Sequence, residues 1–285
     1  MSVDLGTAGW DLVGVVDGFA LITHAVIRKS RWLDTRTWPP KLLPVRDEWT
    51  MAVCPGATLA GWTAQSVFTW KAPDKRRTQI KLPANTGVRT VGFLDAKPAV
   101  VPGFLGVHRL PPLRHPKAPM IFDGTWRALD GAGGSDPSLS AIVPLDGGGA
   151  LVVWDGRVLR YADGALTETA AGDLPRAHPN IYSGFVSCGD GFVTAAGGKL
   201  VWVQRGGKHR EDRAVGKLQI VSVAQYEDRL LVREASKHWL YDAETRAVER
   251  LDLGADLPDP RVLFWAPCGL LGLVDQERVL VRFRV

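Results

Sequence analysis

Short apolar runs recur in pairs along the whole chain, and most pairs are joined by a turn rich in Gly, Asp or Glu. Runs of this length bounded by turn residues are typical of β-strands joined in hairpins. The pattern therefore predicts an all-β protein. The seven pairs are residues 10–16 with 19–26, 49–54 with 57–63, 89–94 with 98–104, 140–145 with 150–154, 182–188 with 192–196, 220–226 with 229–233, and 262–267 with 270–274.

The pairs are evenly spaced. Measured from the first aligned residue of each, the spacings are 39, 40, 51, 42, 39 and 43 residues, with a single outlier. Most units continue with two further strand-like runs; in the fourth unit these are residues 157–161 and 165–169, which follow Asp155-Gly156 and Asp163-Gly164. Units of about 40 residues with four antiparallel strands are typical of the blades of a β-propeller.

The two ends of the chain complement each other. The seventh unit ends with only three strands, the last within residues 278–285, whereas residues 2–7 precede the first pair without a unit of their own. An N-terminal strand that completes the last blade would remove an open sheet edge. We therefore predict one domain, residues 1–285, folded as a seven-bladed β-propeller closed by its N-terminal strand. Six blades are the chief alternative, and a two-domain β-sandwich would not predict the even spacing.

Three segments resemble β-propeller repeat superfamilies. His238 to Thr245 resembles the third strand and turn of a quinoprotein-like repeat, although Arg246 stands where a Gly normally follows. Trp154-Asp155 is similar to the dipeptide of WD-repeat proteins, and Gly197-Gly198 to the double glycine of kelch repeats. Each occurs once, so the resemblance covers the architecture of the whole chain and points to no specific family. A shared fold does not assign a chemistry.

Composition narrows the class of protein. The chain carries 31 Gly and 19 Pro in 285 residues, which disfavours long helices, and its net charge of +5 is modest. We find no signal peptide and no apolar run long enough for a membrane helix. Three widely separated cysteines, Cys54, Cys188 and Cys268, suit reduced thiols, so we expect a cytoplasmic protein without membrane association.

Candidate catalytic and metal-binding residues are sparse in the sequence. The six His share no metal spacing with each other or with Cys, and the first strands offer almost no acidic residue besides Asp11. We expect no metal, no cofactor and no catalytic residue. The eleven Trp are expected to pack between blades, and the cysteines to act as small buried hydrophobes. The short basic runs have acidic neighbours, which argues against nucleic acid.

The one outlying spacing marks a proline-rich basic insertion at about residues 103–120. Residues 96–122 contain no acidic side chain, and Pro111, Pro112 and Pro116 stiffen the chain in an extended form. We predict that this insertion docks a protein partner through Arg109, Leu110, Leu113, Arg114 and Lys117.

These expectations favour a non-catalytic protein-interaction scaffold within a cytoplasmic, bacterial multiprotein system. The alternative is a propeller that binds a small molecule or carbohydrate at the mouth of its channel, including an enzyme whose site is assembled from distant loops.

Overall fold

The structure is a computed structural model, and all the secondary structure that it describes is β-strand. Among the described residues, no helix is long and apolar enough to span a membrane. The described residues are 2–16, 18–24, 29–45, 50–54, 58–62, 66–71, 77–84, 86, 88–102, 118–129, 140–145, 148–154, 156–174, 185–188, 191–206, 209–212, 220–234, 237–253, 260, 262–274, 276 and 278–283.

In these ranges the strands form seven antiparallel sheets of four strands, numbered here in chain order. After β1 (Ser2–Asp4), sheet 1 holds β2 (Trp10–Val16), β3 (Phe19–His24), β4 (Lys29–Asp34) and β5 (Lys41–Val45). Sheet 2 holds β6 (Thr50–Cys54), β7 (Thr58–Trp62), β8 (Ser66–Lys71) and β9 (Arg77–Lys81). Sheet 3 holds β10 (Val88–Leu94), β11 (Lys97–Pro102), β12 (Met120–Asp123) and β13 (Thr125–Ala128).

The second half of the chain repeats the arrangement. Sheet 4 holds β14 (Ser140–Pro144), β15 (Ala150–Trp154), β16 (Arg157–Ala162) and β17 (Ala165–Asp173). Sheet 5 holds β18 (Phe185–Cys188), β19 (Gly191–Ala196), β20 (Lys199–Gln204) and β21 (His209–Asp212). Sheet 6 holds β22 (Ile220–Tyr226), β23 (Arg229–Glu234), β24 (Lys237–Tyr241) and β25 (Val248–Arg250). Sheet 7 holds β26 (Val262–Ala266), β27 (Gly269–Val274) and β28 (Val279–Phe283), with β1 paired to β28 as its fourth strand.

Tight turns join the strands because their residues accept a left-handed backbone. Asp95 and Ala96 between β10 and β11 have φ of 48° and 59°, and Asp163 and Gly164 between β16 and β17 have φ of 52° and 79°. Such turns match the twist of the strands they connect. The hairpins predicted from Asp-Gly and acidic turn residues are therefore present, with strand bounds within a few residues of the predicted runs.

Neighbouring sheets pack face to face, and each core lies between two of them. One cluster joins Leu5, Trp10 and Ile22 with Phe264 and Leu271, so it unites the first and last sheets. The first strands of successive sheets contact one another in order, and β26 contacts β2. Apolar clusters of described residues thus lie between neighbouring sheets from sheet 2 through sheet 7 and on to sheet 1, as in the β-propeller architecture predicted from the repeats.

Each sheet has two ends along the direction of its strands, which we call the entry edge and the turn edge. At the entry edge the first and third strands begin and the second and fourth end; in sheet 3, Val88 pairs with Pro102 there. At the turn edge the first strand meets the second through a short turn, as Leu94 pairs with Lys97. The connections between sheets all leave from the entry edge, so this edge carries the long segments of the chain.

Candidate functional site

The predicted partner-binding segment is inserted between the second and third strands of sheet 3. Arg109, Leu110, Leu113, Arg114 and Lys117 lie outside the described residues. The strands on either side are described: β11 ends at Pro102 and β12 begins at Met120, both at the entry edge. The segment therefore leaves and re-enters the sheet at the edge that also carries the connections between sheets.

Both attachment points of this segment are held in the protein core. Val101 before it is fully buried, and Met120 after it is 5% exposed. The carbonyl oxygen of Pro119 accepts a hydrogen bond from the backbone N–H of Leu129 at 2.8 Å, and Leu129 is also fully buried. A segment with anchored ends loses less conformational entropy on docking than a free tail.

Lys97, which belongs to the basic stretch in the sequence, lies away from the insertion. It begins β11 at the turn edge, the opposite end of the sheet from Pro102. Its Nζ is 2.6 Å from Asp123 Oδ2, so its charge is paired within sheet 3. Lys97 therefore lies apart from the predicted insertion at about residues 103–120, at the other end of β11.

Six of the seven first strands carry a described side chain at a common position near the turn edge. The position is the one that pairs with the start of the second strand, as Val15 pairs with Ala20 and Trp265 with Leu270. Each of the six described side chains there is exposed or half-buried, whereas Phe264 and Ala266 beside Trp265 are each 1% exposed. We call this set the collar; it consists of Val15, Phe93, Pro144, Ser187, Gln225 and Trp265.

The collar is divided into an apolar and a polar part. The apolar members, in the order of the sheets around the ring, are Trp265, Val15, Phe93 and Pro144. The polar members, Ser187 and Gln225, belong to the neighbouring sheets 5 and 6. The Ser187 hydroxyl donates to the Pro144 carbonyl at 3.3 Å, and Gln225 Nε2 donates to the Glu227 carbonyl. The collar lies where the innermost strands surround the axis, and no single-sequence motif marks it; its members were not predicted.

Sheet 6 buries two ionisable side chains that the sequence analysis also missed. Glu234 is 1% exposed and His238 is 3% exposed, at neighbouring positions of β23 and β24. Burial raises the pKa of the Glu234 carboxyl and lowers the pKa of His238 to about 4, with a smaller contribution from Arg233. Glu234 lies in phase with buried Val232 on β23, and His238 with buried Leu240 on β24, so each occupies a buried position of its strand.

The cysteines lie where they were predicted, at the ends of first strands or in the turn that follows. Cys268 is 8% exposed, and burial raises the pKa of its thiol, which keeps it protonated. Cys188 ends β18 and is half-buried, with Sγ 3.7 Å from the Val186 carbonyl oxygen. In the described ranges, no three His, Cys, Asp or Glu side chains are grouped as metal ligands would be.

The described tryptophans pack largely as predicted. Trp10, Trp32 and Trp154 are at most 5% exposed, and Trp126 Nε1 donates to the Lys81 carbonyl of the neighbouring sheet at 2.7 Å. The buried Nε1 of Trp10 has no acceptor among the described residues. Its ring is covered instead by the Arg31 guanidinium, 4.9 Å from the ring centre, and by the edge of His24.

The turn after β24 matches the feature that resembled a quinoprotein-like repeat. The Asp242 carboxylate accepts hydrogen bonds from the backbone N–H groups of Glu244 and Thr245 at 2.9 and 2.8 Å, which lowers its pKa. Arg246, at the expected Gly position, has φ of 60°. The Asp242 carboxylate therefore caps the backbone of this turn, and Arg246 adopts a conformation that favours Gly.

Comparison with known proteins identifies the fold of the chain but no specific family. No protein-family model matches the chain, and no curated protein matches it. Among solved structures, it is similar to a streptogramin B lyase with a TM-score of 0.64 and 14% identity, over 97% of this chain and 92% of that one. It is also similar to BBS1N in complex with ARL6DN, with a TM-score of 0.57 and 16% identity, over 98% and 91%.

A third similar structure is YCF48 bound to D1 peptide, with a TM-score of 0.58 and 14% identity, over 100% of this chain and 96% of that one. These neighbours are β-propeller proteins, so the predicted all-β propeller fold is confirmed. They include both a lyase and propellers that occur with protein partners. At identities this low, the similarity extends to the fold alone.

Proposed function

We propose that the protein is a non-catalytic interaction scaffold: a closed seven-bladed propeller that presents the segment at residues 103–120 to a protein partner in a bacterial cytoplasmic assembly. The observation that carries the proposal is the anchoring of this segment, whose two ends are buried in sheet 3 at Val101 and Met120. A rigid ring that holds a basic, proline-stiffened segment at a defined position is suited to docking.

The pairing of the two chain ends supports closure of the ring, which a rigid scaffold requires. Ser2, Val3 and Asp4 pair with Val281, Leu280 and Val279, and the backbone N–H of Leu5 donates to the Arg278 carbonyl at 2.9 Å. The cluster shared by the first and last sheets buries apolar side chains from both ends of the chain. Seven four-stranded sheets in the described ranges favour seven blades over the alternative of six.

Recognition through the insertion is expected to be electrostatic and apolar. Arg109, Arg114 and Lys117 carry three positive charges without an acidic residue nearby in the sequence, and Leu110 and Leu113 supply apolar contacts. A partner with an acidic surface beside an apolar groove would match this composition. Among the similar folds, BBS1N occurs with ARL6DN and YCF48 with D1 peptide, which supports a role in protein recognition.

The test is a pull-down from the native host, with the partner identified by mass spectrometry, followed by affinity measurements. Changing Arg109, Arg114 and Lys117 together to Glu is expected to weaken partner binding more than about tenfold, because three attractive contacts become repulsive. The matched control changes Lys41, Arg160 and Arg250 to Glu; these are exposed strand residues outside sheet 3. Unchanged affinity in the first variant, or equal loss in the control, contradicts the proposal.

A second candidate function is binding of a small molecule at the mouth of the channel. The collar favours it, because half-buried Phe93 and Trp265 stand among otherwise buried neighbours where the innermost strands converge. The similarity in fold to a streptogramin B lyase is compatible with such a site. An ordered ligand at the axis, with partner binding unaffected by charge reversal of the insertion, would favour this function over the scaffold.

A further inference from the structure

The indole of Trp10 carries a buried hydrogen-bond donor for which the fold supplies no acceptor in the described ranges. Trp10 is 1% exposed and lies at the entry edge of sheet 1, within the apolar cluster shared by the first and last sheets. Its Nε1 has no acceptor there, whereas Trp126 Nε1 donates to the Lys81 carbonyl. A buried donor without a protein acceptor costs free energy, so an acceptor from outside the chain is stabilising at this position.

A guanidinium group lies directly on the same indole ring. The Cζ atom of Arg31 is 4.9 Å from the centre of the Trp10 ring. Arg31 Nη1 donates to the Leu5 carbonyl at 3.0 Å, which leaves other N–H groups of the guanidinium for a further acceptor. Because Nε1 belongs to the ring that Arg31 covers, the indole N–H and the guanidinium lie within reach of one small acceptor.

The charge of Arg31 is paired with no carboxylate in the part of the chain that the structure describes. Two acidic residues of this junction are engaged elsewhere. Asp4 accepts hydrogen bonds from Arg278, and the Asp11 carboxylate accepts the backbone N–H of Leu12 at 2.9 Å, on the face of β2 opposite the indole. Since the Arg31 side chain is half-buried, it attracts an anion more strongly than a fully solvated charge would.

His24 and the link between β1 and β2 border the two donors. The centres of the His24 and Trp10 rings are 5.5 Å apart, with the rings at 83° to each other. A Cβ built on Gly9 would lie 3.4 Å from the His24 atoms Cε1 and Nε2, so the Gly9 backbone lies beside the imidazole. Residues 6–9 are all exposed. The donors therefore lie beside the solvent-exposed surface of the junction, where a small ligand can approach them.

We propose that the Arg31 guanidinium and the Trp10 indole N–H bind the carboxylate group of a small organic acid. A carboxylate has two oxygen atoms that accept N–H donors at about 2.9 Å, so one group joins both donors. Its planar shape and single charge match a guanidinium, whereas a tetrahedral dianion requires more donors than these two. Trp10 is 1% and His24 6% exposed, so the space favours a free acid the size of acetate over an acidic side chain of a protein.

The experiment follows the indole N–H signal of Trp10 by heteronuclear NMR of the isotope-labelled full-length chain, with the signal assigned by its loss in Trp10→Phe. Sodium acetate is compared with acetamide, which has the same shape without the charge, and with sodium chloride, which has the charge without the planar group. Acetate is expected to shift the signal saturably with a Kd on the order of 10 mM, and the two controls to shift it far less. Absence of a saturable acetate shift, or an equal shift with either control, overturns the proposal without any variant.

Variants at Arg31 locate the site. Arg31→Gln removes the guanidinium and is expected to weaken acetate binding by about fivefold or more, because a charge-assisted hydrogen bond is lost. Arg31→Lys keeps the charge without the planar fork, so its affinity should lie between those of the natural chain and Arg31→Gln. The matched control is Arg160→Gln, at an exposed position on the third strand of sheet 4, which should leave the Kd unchanged. Unchanged affinity in Arg31→Gln, or equal loss in Arg160→Gln, contradicts the site.

A peptide distinguishes a free acid from an acidic protein side chain as the source of the carboxylate. N-acetyl-Gly-Asp-Gly-amide carries one internal carboxylate and is expected to bind more weakly than acetate; equal or tighter binding would overturn the assignment to a small acid.

The proposal is independent of the scaffold function, because the two donors lie in sheet 1 and the insertion belongs to sheet 3. A failed partner assay with an intact acetate titration contradicts the scaffold alone, and the reverse result contradicts the acid site alone.

Discussion

Asp4 and Arg278 stand 274 residues apart in the chain and form an ion pair with two hydrogen bonds, at 3.2 Å from Nε to Oδ1 and 3.0 Å from Nη2 to Oδ2. The hydrogen bonds from Arg278 are the largest cause of the lowered pKa of Asp4. Both side chains are about half exposed, so solvent screens the pair and its contribution to stability is small. It lies where β1 ends beside the start of β28, with Asp4 paired to Val279 in the backbone ladder.

We expect burial of Leu5 to stabilise the contact between the first and last sheets more than the ion pair does. Leu5 is 1% exposed in the cluster between the first and last sheets, so Leu5→Ala is expected to cost about 2–5 kcal/mol of unfolding free energy. Arg278→Ala should change it little. Urea denaturation of the two variants measures the contrast, and a larger loss in Arg278→Ala would contradict it.

Truncation tests closure as a whole. Removal of residues 1–7 deletes β1 and Leu5, exposes the edge of β28 and is expected to cost several kcal/mol. A truncated chain that melts at the temperature of the full chain would contradict closure of the ring by the N-terminal strand.

Gly191 is required at the start of β19. A Cβ there would overlap the carbonyl oxygen of Val203 on the neighbouring strand and lie 2.9 Å from the Gln204 Cα. Since both are backbone atoms, Gly191→Ala is expected to destabilise the protein by about 1–3 kcal/mol. Gly206→Ala is the matched control, because no atom lies within 4 Å of its added Cβ; thermal unfolding of the two should differ by several degrees.

Substitution by glycine is expected to have opposite effects on stability at the neighbouring positions Arg246 and Ala247. Arg246 has φ of 60°, a region that costs a side chain about 1–2 kcal/mol, so Arg246→Gly is expected to stabilise by about 0.5 kcal/mol after the added backbone entropy. Ala247→Gly, at the next position, should destabilise by about 0.5–1 kcal/mol. Chemical denaturation of both variants measures the sign, and two losses would contradict the strain at Arg246.

His238 should make stability fall as the pH falls. Its pKa is about 4 in the folded protein against 6.5 when unfolded, so the unfolded chain takes up its proton first on acidification. With respect to His238, the free energy of unfolding is therefore highest above pH 6.5 and falls by up to about 3 kcal/mol as the pH approaches 4. Glu234, whose pKa is raised, acts in the opposite direction over the acid range.

The variant His238→Leu isolates this effect. Leu200 occupies the matching position in sheet 5, so a leucine is accommodated by this architecture. The variant is expected to have a flatter dependence of unfolding free energy on pH between 6.5 and 4.5 than the natural chain. Parallel pH curves in urea denaturation would show that His238 does not titrate as its burial implies.

Local pattern was sufficient to predict the strands and their repetition. Strand propensity and Asp-Gly or acidic turns act over a few residues, so β22 and β15 were predicted with their observed bounds. Even spacing then implied a ring of sheets, since a single four-stranded sheet has two faces to cover. Each sheet depends on the next one to cover its faces, as in the cluster where Leu5 and Trp10 pack with Phe264 of the last sheet.

The sequence alone was enough to predict the all-β architecture, the repeat period and the outlying spacing of the insertion, because these arise from contacts and compositions along the chain. The ion pair between Lys97 and Asp123, the burial of Glu234 and His238, and the packing of Trp265 on Tyr226 appear only in the folded chain. Those relationships join residues from different strands or sheets, and burial and charge pairing depend on distances through space rather than along the sequence.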